Sequence, residues 1–363
     1  MEISPFPYQG PLAPEQLRGR DELVDDLIER VTRRRVTALL GPRRFGKTSV
    51  LRKVASVCEQ AGSSIVWLDL YETSTAADFA VRVDAALAAS RGPIRHRVGE
   101  LAATAQLNLG MFKVEFSRPA SQRPNPEAAL HVTLDILVQG ALSQPTVIVI
   151  DEFTGIADVK GAAGLLRTKL QHHVQEIGVL FAGSQPSLMA AMFTEQSMPF
   201  YGQADLIRIM PFTALELHDI VTVGFQRTGR SAGTLPGLIH AITNGHPYRS
   251  MQLADAAWMR TAVSASCDDE IWISALSHVQ ASNDSINETM YAACTQPEQG
   301  VLRAIGSRRS LYGATLELYG VSAGGMAAAR DRLTSNGIIE TTDDAICIVD
   351  PLLALWIRRR FDV

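Results

Sequence analysis

Apolar positions along this chain fall into two patterns. The first is the short, mainly apolar run: Arg35-Val36-Thr37-Ala38-Leu39-Leu40, Ser64-Ile65-Val66-Trp67-Leu68-Asp69-Leu70, Thr146-Val147-Ile148-Val149-Ile150, residues 177–185 and residues 205–210. Runs of this length and composition suit strands buried on both faces of a parallel sheet. The second pattern is the stripe at helical spacing. Leu23, Val24, Leu27, Ile28 and Val31 form one, with Asp21 placed to cap it, and others follow at residues 49–58, 76–89, 127–139 and 162–170. Runs and stripes alternate as far as residue 213, which predicts an α/β unit over residues 1–213.

Two stretches interrupt the alternation. Residues 1–17 are rich in proline and glycine and are expected to lie extended on the surface, and residues 91–126 are less regular. Within the latter, Val114-Glu115-Phe116 reads as a short strand and residues 117–126 as a loop. Beyond residue 213 the runs give way to helical patterns at 215–225, 235–243 and 249–261, broken at Asn244-Gly245-His246-Pro247-Tyr248. A mainly helical unit over 214–296 follows from this. From Pro297 three short helices, near 298–305, 311–319 and 322–335, precede strand, turn and strand at 337–340, 341–344 and 345–349, the pattern of a winged helix over 297–363.

Composition narrows the classes. With 46% hydrophobic residues in 363, a sizeable core is affordable, and a net charge of −4 makes no global case for nucleic acid. The local excess of Arg91, Arg95, His96, Arg97, Lys113, Arg118 and Arg123 reads as a solvated face before a nucleic-acid contact. Cys58, Cys267, Cys294 and Cys347 are scattered without metal-ligand spacing, which suits reduced thiols and a cytoplasmic protein. The first residues lack a basic segment followed by an apolar one, and no apolar run approaches the roughly 18 residues of a membrane span, so neither export nor a membrane partner is expected.

The chemistry concentrates at strand ends. Between the first run and the next stripe stands Gly41-Pro42-Arg43-Arg44-Phe45-Gly46-Lys47-Thr48-Ser49, with the spacing G-x-x-x-x-G-K-[ST]. Glycines let backbone N–H groups curl around an anion at a helix N-terminus, Lys47 can reach the β- and γ-phosphates, and the Thr48 hydroxyl can ligate Mg²⁺. The run at 146–150 ends in Asp151-Glu152. There Asp151 can hold Mg²⁺ through water and Glu152 can polarise an attacking water, the second half of an ATP site. The run at 177–185 ends in Ser184-Gln185, where a polar side chain could orient that water or sense the γ-phosphate. Ser184 is the first candidate and Gln185 the second, and capping the helix that starts at Pro186 is an equal reading of Ser184.

Several motifs in order carry a family resemblance: Pro5-Phe6, Arg18-Gly19-Arg20-Asp21-Glu22-Leu23, the Gly41 to Ser49 loop, Asp151-Glu152-Phe153, Gly183-Ser184, Pro211-Phe212, Gly245-His246-Pro247 and Asp350-Pro351-Leu352-Leu353. In these the chain resembles the archaeal-type ATPases of the AAA+/STAND branch of P-loop NTPases. The resemblance implies ATP and Mg²⁺ as cofactors, a sheet ordered 5-1-4-3-2, a helical lid and a C-terminal winged helix. It also implies that Pro247, in a lid G-x-P motif, packs near adenine and that Arg20 lies on the base side of the nucleotide. A simple helix break explains Pro247 equally well.

One departure bears on activity. Members of the family often carry Tyr-Gly-Arg before the fifth strand, where relatives place an arginine finger, and this chain has Tyr201-Gly202-Gln203. Slow basal turnover follows, unless Arg208 or Arg167 substitutes. The resemblance therefore implies a slowly hydrolysing nucleotide switch that takes ATP or ADP and can self-associate on ATP binding. The alternative is a DNA-associated ATPase whose winged helix contacts duplex through Arg330, Arg332, Arg308, Arg309 and Arg358-Arg359-Arg360. Ala327-Ala328-Ala329 and the acidic Asp343-Asp344 turn weigh against groove reading. His172-His173, read as helical, lacks a third ligand at useful spacing and is taken as surface.

Overall fold

The computed structural model describes residues 2–119, 121, 123–341 and 345–361. By contacts it divides into two compact units, one of Ala13–Gly41 with Lys47–Ile209, the other of Met1–Leu12, Pro42–Gly46 and Met210–Val363.

The first unit is built on five parallel strands: β1 (Thr37–Leu40), β2 (Ser64–Asp69), β3 (Thr146–Asp151), β4 (Gly178–Gly183) and β5 (Asp205–Arg208). Their spatial order is β2-β3-β4-β1-β5, which is the expected 5-1-4-3-2 read from the other edge. Helices α1 (Asp21–Thr32), α2 (Lys47–Gln60), α3 (Ala76–Ala88), α4 (Ile94–Thr104), α5 (Phe112–Phe116), α6 (Pro126–Leu142), α7 (Ala162–Leu170) and α8 (Pro186–Thr194) flank or connect the strands. Every residue of β1, β3 and β4 is buried, as a strand covered on both faces requires, whereas the edge strand β5 is mostly exposed. Parallel register brings the ends of β2 and β3 level, with Asp69 opposite Asp151.

The second unit holds α9 (Ala214–Arg227), α10 (Leu235–Thr243), α11 (Pro247–Trp258), the long α12 (Asp269–Ala293), α13 (Gln296–Gly306), α14 (Ala314–Tyr319), α15 (Ala323–Ser335), the antiparallel pair β6 (Ile339–Thr341) and β7 (Ile346–Ile348), and α16 (Pro351–Phe361). Among the described residues it has two apolar cores. One gathers residues of α9 to α12 with Phe6 and Leu352, and the other gathers residues of α13, α15 and both strands with Tyr291, Leu353, Ala354 and Ile357.

Several expectations are corrected. Residues 114–116 are helical, because Phe112 and Phe116 pair edge to face at 5.8 Å and the buried Asp84 carboxylate accepts from the Gly110 and Phe112 amides at 2.9 and 3.1 Å. Strand-like residue types yield here to tertiary contacts. The irregular stretch also contains α4. Asp21 is the first residue of α1, after Arg20 as the cap position, and Asp21 and Glu22 supply the acidic first turn. The N-terminal segment is not all superficial: Phe6 is buried and packs on Phe225 with ring centroids 5.6 Å apart. His172 and His173 lie in turns after α7, where His173 Nδ1 meets Glu176 Oε1 at 3.1 Å. The acidic Asp343-Asp344 turn lies outside the described residues.

Candidate functional site

The loop after β1 has the backbone its sequence asks for. Gly46 sits at φ +89°, a conformation that favours glycine, and a Cβ at Gly41 would overlap the Ile209 side chain. Arg44 takes the left-handed region without being glycine, at φ +65°. Helix α2 then starts at Lys47, so the loop ends on a helix N-terminus, whose positive dipole end favours an anion. Lys47 is buried and its Nζ donates to the Gly41 carbonyl at 2.7 Å, folding the ammonium back across the loop.

One carboxylate, at the end of β3, meets the residue after Lys47. Thr48 Oγ1 donates to Asp151 Oδ2 at 2.9 Å, joining residues 103 apart in sequence. Burial raises the Asp151 pKa, with the Glu152 and Asp69 charges adding to it, although the Thr48 and Glu152 hydrogen bonds pull the other way. A buried carboxylate held above its usual range beside a hydroxyl is a site that gains from a hard cation. Thr48 and Asp151 thus fit Mg²⁺ by the chemistry of their oxygens, and the glycine-flanked helix start fits a polyphosphate.

Glu152 follows with φ 50° and ψ 45°, left-handed for a residue with a side chain. Its Oε2 accepts from Ser184 Oγ at 2.8 Å and from the Ser184 amide at 3.1 Å. Of the two readings of Ser184, the capping one fails: Gln185 occupies the cap position of α8, and the Ser184 hydroxyl is turned to Glu152. Gln185 has no side-chain capping bond. Beneath these residues Phe153, Phe181, Phe193 and Phe200 form one aromatic cluster, with centroids 4.5 to 5.8 Å apart. Phe200 leads directly into Tyr201-Gly202-Gln203, so that segment is anchored to the residue after Glu152.

Other predicted positions are placed as follows. Arg20 is buried at the start of α1. Ser49, Pro42 and Phe45 are buried, while Arg43 and Arg44 are exposed. Arg208 is exposed on β5, and Arg167 on α7 is half-buried. Pro247 is the first residue of α11, after Asn244 and Gly245 in left-handed conformations. A Cβ at Gly245 would overlap the Phe212 carbonyl, and Phe212 N donates to Gly245 O at 2.8 Å, which binds two of the quoted motifs together.

Sequence reasoning missed the neighbours of Pro247. His246 is buried with its pKa lowered to about 4, chiefly by desolvation, even though Asp350 pulls it upward. Arg249 is buried and its Nη2 meets Asp350 Oδ2 at 2.5 Å, with Nε at 2.9 and 3.1 Å from the two carboxylate oxygens. An arginine inside an apolar helix pattern and an aspartate before Pro351 were the available signals, but only folding pairs them.

No family model matches the chain, and no curated protein matches it significantly by sequence. Solved structures do resemble it. A Walker-type ATPase of Pyrococcus abyssi superposes with a TM-score of 0.71 at 16% identity, covering 98% of this chain and 99% of that one. The Aeropyrum pernix ORC1 protein, solved in complex with DNA, gives 0.53 at 14% identity over 94% and 93% of the two chains. The ADP form of the A. pernix ORC2 protein gives 0.52 at 14% identity over 98% and 97%. At these identities the likeness is one of fold. Sheet order, loop placement and this likeness together give the chain an α/β P-loop NTPase fold, shared with these structures.

Proposed function

We propose that the chain binds MgATP and hydrolyses it slowly, as a nucleotide-dependent switch of the AAA+/STAND kind. The observation that carries this reading is the Thr48–Asp151 hydrogen bond at the mouth of the phosphate loop, beside a Glu152 already held in place. Bound Mg²⁺ would supply charge neutralisation at the phosphates. Thr48 and Asp151 would hold that ion, and Lys47 would exchange its bond to the Gly41 carbonyl for phosphate oxygens. Glu152 would accept the proton of the attacking water, with Ser184 fixing its orientation.

Within the same reading, residues 214–296 act as the lid and 297–363 as a winged helix, with Arg20 and Pro247 on the base side of the nucleotide. The loop tip, Pro42–Gly46, belongs by contacts to the unit of Met210–Val363, while Gly41 and Lys47 belong to the sheet unit. Gln203 in place of an arginine supports slow turnover and little acceleration by self-association.

Duplex binding is the weaker reading. Several of the arginines it needs are engaged within the protein: Arg332 with Glu298 at 2.8 Å, Arg330 with Asp331 at 2.8 Å, and Arg359 with Gln280 at 2.6 Å. The deciding experiment titrates a non-hydrolysable ATP analogue with Mg²⁺ into wild type and Lys47→Ala, and follows phosphate release. Saturable binding lost in the variant, with slow release by wild type, supports the proposal. Equal binding by both proteins, or brisk release by wild type alone, would sink it.

A further inference from the structure

The variable residues of the phosphate loop, Arg44 and Phe45, are gripped by the segment that follows α10. Phe45 is buried and stands edge-on to the His246 ring, with centroids 4.8 Å apart at 68°. The Arg44 guanidinium lies over the Tyr248 ring, 4.5 Å from its centroid, and Tyr8 meets Tyr248 edge to face at 5.5 Å. Arg249, next in sequence, shares the Tyr248 ring, with its guanidinium 5.0 Å from the centroid, while it binds both oxygens of Asp350 and its Nη1 donates to Asn283 Oδ1 on α12 at 2.9 Å. Asp350 in turn accepts from the Leu352 amide at 3.0 Å, capping α16. Four consecutive residues thus hold the loop tip at one end and a helix start at the other.

The grip has a physical task. Arg44 sits in a left-handed conformation that costs energy for a residue with a Cβ, so that conformation persists only where surrounding contacts over-determine it. The Tyr248 face under Arg44 and the His246 edge against Phe45 are contacts of this kind. His246 serves as an uncharged aromatic here, because burial keeps it neutral, and its Nδ1 also accepts from the Arg249 amide at 3.4 Å to start α11.

We propose that His246 and Tyr248 are positioning residues that hold the tip of the phosphate loop in its anion-binding shape, and that Arg249 extends this grip to α16 through Asp350. The inference rests on the ATP reading above and adds the residues that pre-organise its loop. Loss of the grip leaves the loop to be ordered by the nucleotide, which weakens binding without touching the groups that act on water. Coupling is reciprocal, so nucleotide bound at the loop tightens the start of α16.

The test uses the full chain and three proteins: wild type, Tyr248→Ala and Tyr248→Phe. Titration with a non-hydrolysable ATP analogue and Mg²⁺ is expected to show binding about fivefold weaker in Tyr248→Ala, which removes the ring under both Arg44 and Arg249. Tyr248→Phe keeps the ring and is expected to bind within about twofold of wild type. KM for ATP rises in Tyr248→Ala while kcat and the melting temperature hold, whereas a general loss of folded protein would lower all signals together. Hydrogen exchange in wild type is expected to slow over Pro351–Phe361 when the analogue is added, and to slow less in Tyr248→Ala. Wild-type binding with Tyr248→Ala unchanged, or no change in exchange at α16 on binding, overturns the grip and leaves the ATP reading intact. Failure of wild type to bind the analogue removes both.

Discussion

Glu152 and Ser184 are joined twice: one carboxylate oxygen accepts from the serine hydroxyl at 2.8 Å and from the same residue's amide at 3.1 Å. The two residues come from neighbouring strand ends, β3 and β4, and Glu152 reaches its partner from a left-handed backbone. Strain of this kind at a strand tip is expected where a side chain must be aimed. Replacing Glu152 by Gln is expected to lower kcat by about 10² to 10⁴ while ATP affinity stays within a few-fold, because the base is lost and the phosphate contacts are not. Ser184→Ala removes one of two hydrogen bonds and should lower kcat by about tenfold. Steady-state phosphate release with a parallel binding titration checks both, and a Ser184→Ala variant as fast as wild type would remove its orienting role.

Asp151 provides a test of the metal site. Its pKa is raised mainly by burial, so in the metal-free protein the ionised form is penalised and folding stability falls as pH rises through the carboxylate range. Asp151→Asn is therefore expected to raise the melting temperature of metal-free protein at pH 7. Mg²⁺ with an ATP analogue should then raise the melting temperature of wild type by several degrees and that of the variant by much less. A variant that is less stable than wild type without metal contradicts the assignment.

His246 predicts an acid limit for the second unit. Its pKa falls from 6.5 to about 4 on folding, mainly through desolvation, so the unfolded chain binds more protons between those values. Stability contributed by neutral His246 is complete above pH 6.5 and declines as pH falls toward 4, by about 3 kcal/mol in all. Asp350 does not blur this window. Burial raises its pKa, but the hydrogen bonds and charge of Arg249 outweigh that and hold it below the usual 3.8, so its share is lost only in stronger acid. Denaturant unfolding from pH 7 to pH 4 should show the slope in wild type and a much smaller one in His246→Asn, which retains a capping side chain without titrating.

Phe6 predicts that the N-terminal segment is structural. Its ring is buried against Phe225, and a Cβ at Gly224 would already overlap it, so a small residue on α9 makes room for that ring. Phe6→Ala is expected to cost about 3 to 5 kcal/mol of unfolding free energy. Removal of residues 1–12 should destabilise the second unit to a similar degree, as read by chemical unfolding. A shift below about 0.5 kcal/mol would mean that the segment is dispensable for folding.

The strands themselves, the placement of the phosphate loop and the two acids at the end of β3 were legible in the sequence, because each depends on local pattern: an unbroken apolar run, a glycine spacing, a helix start; the order of the strands in the sheet came only from the family resemblance. The same local logic misread residues 114–116, where strand-forming types fold as a helix under the pull of Asp84, and it passed over α16 altogether. It could name Ser184 but not choose between capping a helix and orienting a water or sensing the γ-phosphate, and its bond to Glu152 appears only in the folded chain. Tertiary structure alone decided what lies far apart in sequence: Thr48 with Asp151, Arg249 with Asp350, and Arg44 and Phe45 with the His246–Tyr248 segment. The physical reason is that a buried charge or a left-handed arginine must find its partner in the packed chain, and no periodicity in the sequence records where that partner will be.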